Sequence, residues 1–112
     1  LVIEPTEALT VIDVNTAKSV SKKTSEETYL KTNLEAAEAI AVQLRLRNLS
    51  GIIIVDFIDM KEEESRKALL AAMRQAVAAD PVKTVLVDMT PLGLVELTRK
   101  KIRRPLHEQV RV

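Results

Sequence analysis

The chain has 112 residues, 46% of them apolar, and a formal net charge of +1. That length fits one small domain or subdomain. The absence of cysteine excludes disulfides and a Cys-ligated zinc site, and a lone Tyr and a lone Phe leave little for stacking bases.

The chain opens Leu1-Val2-Ile3-Glu4-Pro5, without a basic leader, a long apolar stretch or an initiator Met. It reads as a fragment of something longer. Residues 8–15 predict a strand, with Leu9, Val11, Asp13 and Asn15 on one face and Thr10, Ile12 and Val14 on the other. Both faces are largely apolar up to Asp13, so a central strand is expected. The polar turn from Thr16 to Lys23 leaves room for a second, hairpin-paired strand around Lys18–Ser21.

Residues 32–48 predict a helix. Thr32 and Glu35 have capping-box spacing. Leu34, Ala37, Ala41 and Leu44 recur at helical steps. Asn48-Leu49-Ser50-Gly51 stops it, with Gly51 supplying the permissive backbone. Ile52 to Val55 reads as a strand buried on both faces. Asp59 and Glu62 then open a second helix with Asp59 as its cap. Its stripe is Leu69, Ala72, Met73, Ala76 and Val77. Asp80-Pro81 ends it. Thr84 to Val87 is a third core strand, and Thr90-Pro91 starts a last helix. The alternation predicts an α/β fold with a mixed, mostly parallel sheet covered by about three helices. Right-handed crossovers bring Asp13, Asp56 and Asp88 to one edge, where such folds hold ligands.

The chemistry sits in Asp13 and Asp56, each ending an apolar run. An ionised carboxylate is costly to bury without compensation. Magnesium is often held by one or two carboxylates plus waters and phosphate oxygens. Asn15, two residues from Asp13, shares its face and offers an amide to a phosphate or a carboxylate. Metal-assisted phosphodiester hydrolysis follows as one reading. The other is that each Asp accepts backbone hydrogen bonds in the following turn. Asp88 leans towards a turn role, and His107 reads as a solvated side chain in a polar tail. The run Arg99-Lys100-Lys101-Ile102-Arg103-Arg104 suits phosphate contacts or, equally, the C-terminus of a helix. Lys83 alone reads as a loop lysine.

Four blocks resemble the ribonuclease E/G family. They are Glu7-Ala8-Leu9-Thr10-Val11-Ile12-Asp13-Val14-Asn15-Thr16, then Thr32 to Ala37 with Gln43 to Leu49, then Ile54 to Met60, then Gly93 to Arg99. They occur in order and span nearly the whole chain. The resemblance implies one unit, 1–112, corresponding to the DNase I-like catalytic subdomain of a cytoplasmic endoribonuclease. It implies Asp13 and Asp56 as magnesium ligands, with manganese able to substitute, and Asn15 as support for the catalytic geometry. Single-stranded RNA is the implied substrate, cut to a 3′-hydroxyl and a 5′-phosphate during RNA processing and decay. The resemblance places Lys83 where some relatives have a basic residue lining the 5′-end pocket; with Arg99 and Lys100 of the basic run it is an expected RNA contact. The OB-fold RNA-binding, 5′-sensing and RNase H-like portions are expected upstream. A zinc link is expected downstream, so zinc is not expected within this chain. A homodimer or higher homo-oligomer of the full-length protein is expected, and the alternative function is an isolated folding or dimerisation module with negligible catalysis. Ser50 stands where relatives usually carry a second Gly.

Overall fold

A computed structural model describes residues 1–14 and 25–101. Its elements in chain order are β1 (Val2–Pro5), β2 (Leu9–Asp13), α1 (Glu26–Leu46), β3 (Gly51–Asp56), α2 (Glu63–Ala78), β4 (Thr84–Met89) and β5 (Val95–Arg99). The five strands form one sheet in the order β1-β2-β3-β5-β4. The suggested strand at Lys18–Ser21 and the tail from Ile102 onward, with His107, lie outside the described residues.

The sheet is mixed, as expected, but not mostly parallel. Among the described strands only β2 and β3 pair in parallel; the pairs β1–β2, β3–β5 and β4–β5 are antiparallel. Two helices are described, not three. The expected last helix is the hairpin strand β5. Val95, Leu97 and Arg99 are buried while Glu96 and Thr98 face outward, a period of two that overrides the helix-start cue of Pro91. The turn before β5 is closed by Thr90 N–H donating to the Leu94 carbonyl at 2.7 Å and Gly93 N–H donating to the Thr90 carbonyl at 2.9 Å. Gly93 there has φ 84°, backbone that glycine adopts at little steric cost.

Helix α1 begins six residues before the expected capping box. Ser25 is its N-cap and accepts from Thr28 N–H at 3.3 Å, and Glu26 and Glu27 place negative charge in the first turn. Thr32 and Glu35 are helix interior. The stop comes from Asn48, not Gly51. Asn48 takes φ 49°, Leu49 N–H donates to the Leu44 carbonyl at 3.0 Å, and Asn48 N–H donates to that of Arg45 at 3.2 Å. That pairing is a Schellman motif. Ser50 is not among the positive-φ residues, so the Gly-to-Ser change there carries no left-handed strain.

Both crossovers, β2-α1-β3 and β3-α2-β4, step the same way across the sheet between strands that run in the same direction. Right-handed connections of that kind put both helices on one face. Ile12, Ile53, Val55, Val95 and Leu97 from that face form one core with Ala37, Ile40, Leu44, Leu69 and Met73 from the helices. No described element covers the other face. Val11 there is 38% exposed and Ile52 41%, so the expectation that β3 is buried on both faces does not hold for the described chain. No described helix is long and apolar enough to cross a membrane.

Candidate active site

β2 and β3 place Asp13 and Asp56 side by side. The two are register partners in the parallel pair, so both side chains leave the open face at the same level, on strands about 4.8 Å apart. The ladder continues one step further, with Val14 N–H donating to the Asp56 carbonyl at 3.0 Å. Oδ1 of Asp13 is buried and has no hydrogen-bond partner among the described residues. An orphaned buried carboxylate oxygen is costly, and a cation is one group that would satisfy it.

The electrostatics point the same way. Burial pushes the Asp56 carboxyl above its ordinary range, and the nearby charges of Asp13 and then Asp59 push it further. Asp13 and Asp59 thus both repel the Asp56 charge, which a cation would neutralise. The described residues contain no cluster of three or more acidic, His or Cys side chains with metal-binding geometry. The arrangement offers two carboxylates, which suits an ion that keeps several waters.

Asp59 is exposed and is not a helix cap. The N-cap of α2 is Glu62, which makes no side-chain capping bond. The backbone there is served from α1, where the two Glu26 oxygens accept from Lys61 N–H at 3.1 Å and Glu62 N–H at 2.9 Å. Asp59 stands beside the β4–β5 turn, its Oδ1 3.6 Å from the position a side chain at Gly93 would take. Asp88 reaches the same sheet edge at the end of β4, and its Oδ1 accepts from Met89 N–H at 2.7 Å, a local turn role. Glu96 of β5, paired with Ile54 and with Asp88, adds a half-buried carboxylate to the open face. Asn15 lies outside the described residues.

The basic residues gather at the opposite edge. Lys100 N–H donates to the Lys83 carbonyl at 2.9 Å. Lys100 and Lys101 line a shallow basin with Thr6, Ser50 and Gly51. Five residues of β3 separate this edge from Asp56, about 16 Å of strand.

Arg99 does not join those lysines. Its side chain and that of Asp80 are each 2% exposed and form an ion pair at 2.8 Å. Nε and Nη2 donate to the two Asp80 oxygens, and Nη1 donates to Asn48 Oδ1 and to the Leu49 carbonyl, both at 3.0 Å. An expected phosphate contact is therefore a buried clamp joining β5 to the ends of α1 and α2. The Arg99 guanidinium holds the Asp80 carboxyl below its usual range, against the opposing effect of burial.

Sequence reasoning also passed over Asn33. It is fully buried on α1 and bonds both ways to the backbone of Ile58. Its signal is present in the sequence, because Asn33 sits on the inward helical phase with Ala36, Ala37 and Ile40.

Comparison with known proteins adds the family. A model described as the Ribonuclease E/G family matches residues 1–102. Ribonuclease G of Salmonella typhimurium is 52% identical over 92% of this chain and 21% of its own length. Ribonuclease G of Haemophilus influenzae is 51% identical over 95% of this chain and 22% of its own. Ribonuclease E of a Nostoc species is 49% identical over 96% of this chain and 16% of its own. The chain thus spans about a fifth of the length of the curated relatives it matches.

Proposed function

Since the chain belongs to the ribonuclease E/G family, we propose that it supplies the acidic reaction edge of a magnesium-dependent endoribonuclease acting on single-stranded RNA. The observation that carries this reading is the register pairing of Asp13 with Asp56, with one Asp13 oxygen buried and unpartnered among the described residues. Asp13 and Asp56 would hold the ion, and manganese would substitute for magnesium. When bound, the ion supplies a polarised phosphate and a water of lowered pKa. The chain's own part is to hold two carboxylates at one level and open to a phosphodiester, where a bound cation would offset their mutual repulsion. Asn15 would orient a phosphate oxygen or a carboxylate from its place two residues beyond Asp13. Cleavage would leave a 3′-hydroxyl and a 5′-phosphate.

Lys83 and Lys100 would contact phosphates some 16 Å from the acidic pair, holding the strand without reading bases. Arg99 has no part in that contact. The test is Asp13→Asn and Asp56→Asn in the full-length protein. Each is expected to lower RNA cleavage by about 10²–10³-fold, the usual loss on removing one charge-stabilising group, with folding intact. Wild-type turnover in either variant contradicts the reading.

A second reading is favoured by the open sheet face, where Val2, Val11, Ile52 and Val85 are exposed. The isolated chain would then be a folding and self-association module, with a homodimer as the working form of the longer protein. Sedimentation of the isolated chain alongside a cleavage assay separates the two. A monomer that cleaves RNA alone excludes the second.

A further inference from the structure

The segment that follows Asp56 is held by side chains from both helices. Asn33 Oδ1 accepts from Ile58 N–H at 3.0 Å, and Asn33 Nδ2 donates to the Ile58 carbonyl at 2.9 Å. One side chain thus spends its acceptor and a donor on a single residue two positions past Asp56. Arg66 Nη1 donates to the Met60 carbonyl at 2.8 Å and to that of Lys61 at 2.9 Å. Glu26 takes the N–H groups of Lys61 and Glu62.

Asn is an unfavourable choice inside a helix, because its side chain competes for backbone partners. Its amide is also costly to bury unless paired. Packing alone would be served by an apolar residue, as at Ala36, Ala37 and Ile40 on the same phase. What Asn33 adds is direction. The Ile58 backbone is fixed at both its donor and its acceptor, and Phe57 between it and Asp56 is 2% exposed in the core. The chain leaves β3 along one path, and that path sets where the Asp56 carboxylate stands.

We propose that Asn33 is a positioning residue for Asp56, its two-point clamp on Ile58 holding the Asp56 carboxylate level with that of Asp13. The proposal rests on the reading of Asp13 and Asp56 as the metal-holding pair.

The experiment compares Asn33→Ala with Val77→Ala in the full-length protein, at a temperature where melting curves show both folded. Val77 is buried on α2 and bonds to no part of the segment 56–62, so it controls for lost stability. The readouts are kcat and KM on single-stranded RNA, and Mn²⁺ affinity without RNA by electron paramagnetic resonance. Asn33→Ala is expected to lower kcat and weaken Mn²⁺ binding by about tenfold or more, the usual effect of losing a group that orients a ligand, with KM unchanged. Val77→Ala is expected to leave all three unchanged. If Asn33→Ala does not fold, Asn33→Leu takes its place. It keeps nearly the same volume, adds no charge and removes both bonds to Ile58. Unchanged kcat and Mn²⁺ affinity in the folded Asn33 variant, or equal losses in Val77→Ala, overturns the proposal. Asp56→Asn separates the two levels. If it is active, the metal-pair reading has failed; if it is inactive while the Asn33 variant behaves as wild type, only the positioning role has failed.

Discussion

Asp13 stands opposite Asp56 across the one parallel strand pairing of the described sheet, and one oxygen of Asp13 is buried with no partner among the described residues. Two like charges held at one level on neighbouring strands cost stability, and an ionisable pair kept at such a cost is a mark of a functional site.

That cost is measurable. The Asp56 carboxyl is raised above its ordinary value by burial, by Asp13 and by Asp59. The folded state therefore holds its proton to higher pH than the unfolded chain, and stability falls as pH rises through that interval. Asp56→Asn removes the slope. Without metal at neutral pH it is expected to raise stability by about 1 kcal/mol, the size of a typical surface-charge improvement, while lowering cleavage by about 10²–10³-fold. Added Mn²⁺ should then raise the melting temperature of the wild type and not of the variant, because a ligand stabilises only the state that binds it. Thermal melts with and without Mn²⁺ check both parts.

Arg99 is expected to matter for stability and not for RNA contact. Arg99→Ala leaves Asp80 charged and buried, a change that costs about 3–5 kcal/mol, a large share of the stability of a small domain. The double variant Asp80→Ala/Arg99→Ala should lose less than the sum of the single variants. Urea melts of the four proteins check this. A folded Arg99→Ala with near-normal stability and weakened RNA binding would restore the phosphate contact suggested by the charge run.

The lysine edge carries a different signature. Lys83→Ala and Lys100→Ala should weaken RNA binding alike for all sequences. Each should also reduce the slope of log affinity against log salt by about 0.7, the value for one single-strand phosphate contact. Folding should be untouched, since both side chains are exposed. Binding titrations at several salt concentrations decide it, and an unchanged slope removes the lysine concerned from the interface.

Acid should loosen the segment that follows Asp56. Glu26 is held below its ordinary value chiefly by the backbone N–H groups of Glu62 and then Lys61. A depressed carboxyl contributes stability above its unfolded value, and that contribution is lost as pH falls through the folded value. Glu26→Gln should remove this part of the acid dependence. Its amide exchange at Lys61 and Glu62 should be faster at neutral pH, by hydrogen-exchange measurement.

The fold was largely legible where a pattern repeats. The strands ending at Asp13 and Asp56 and the stripe Leu69, Met73, Val77 follow from period alone. β1 was missed because a four-residue edge strand earns its pairing from β2 and not from a pattern of its own. β5 was misread because Thr90-Pro91 looks like a helix start, while the alternation of Val95, Leu97 and Arg99 lasts only five residues. Arg99 was grouped with its cationic neighbours although it occupies the inward phase of that strand. Asn33 was hidden for the opposite reason, since a polar residue on an apolar stripe shows its partner only once Ile58 is brought to it from 25 positions away. Among the acids, the pairing of Asp13 with Asp56 could be anticipated from strand ends. The reassignment of the capping work from Asp59 to Glu26 needed the tertiary fold.

The most direct measurement is a crystal structure of the full-length protein soaked in Mn²⁺, with data collected at the manganese edge. An anomalous peak is expected between the carboxylates of Asp13 and Asp56, absent from the Asp56→Asn crystal. A cleavage-competent protein whose manganese lies elsewhere, with that position empty, contradicts it.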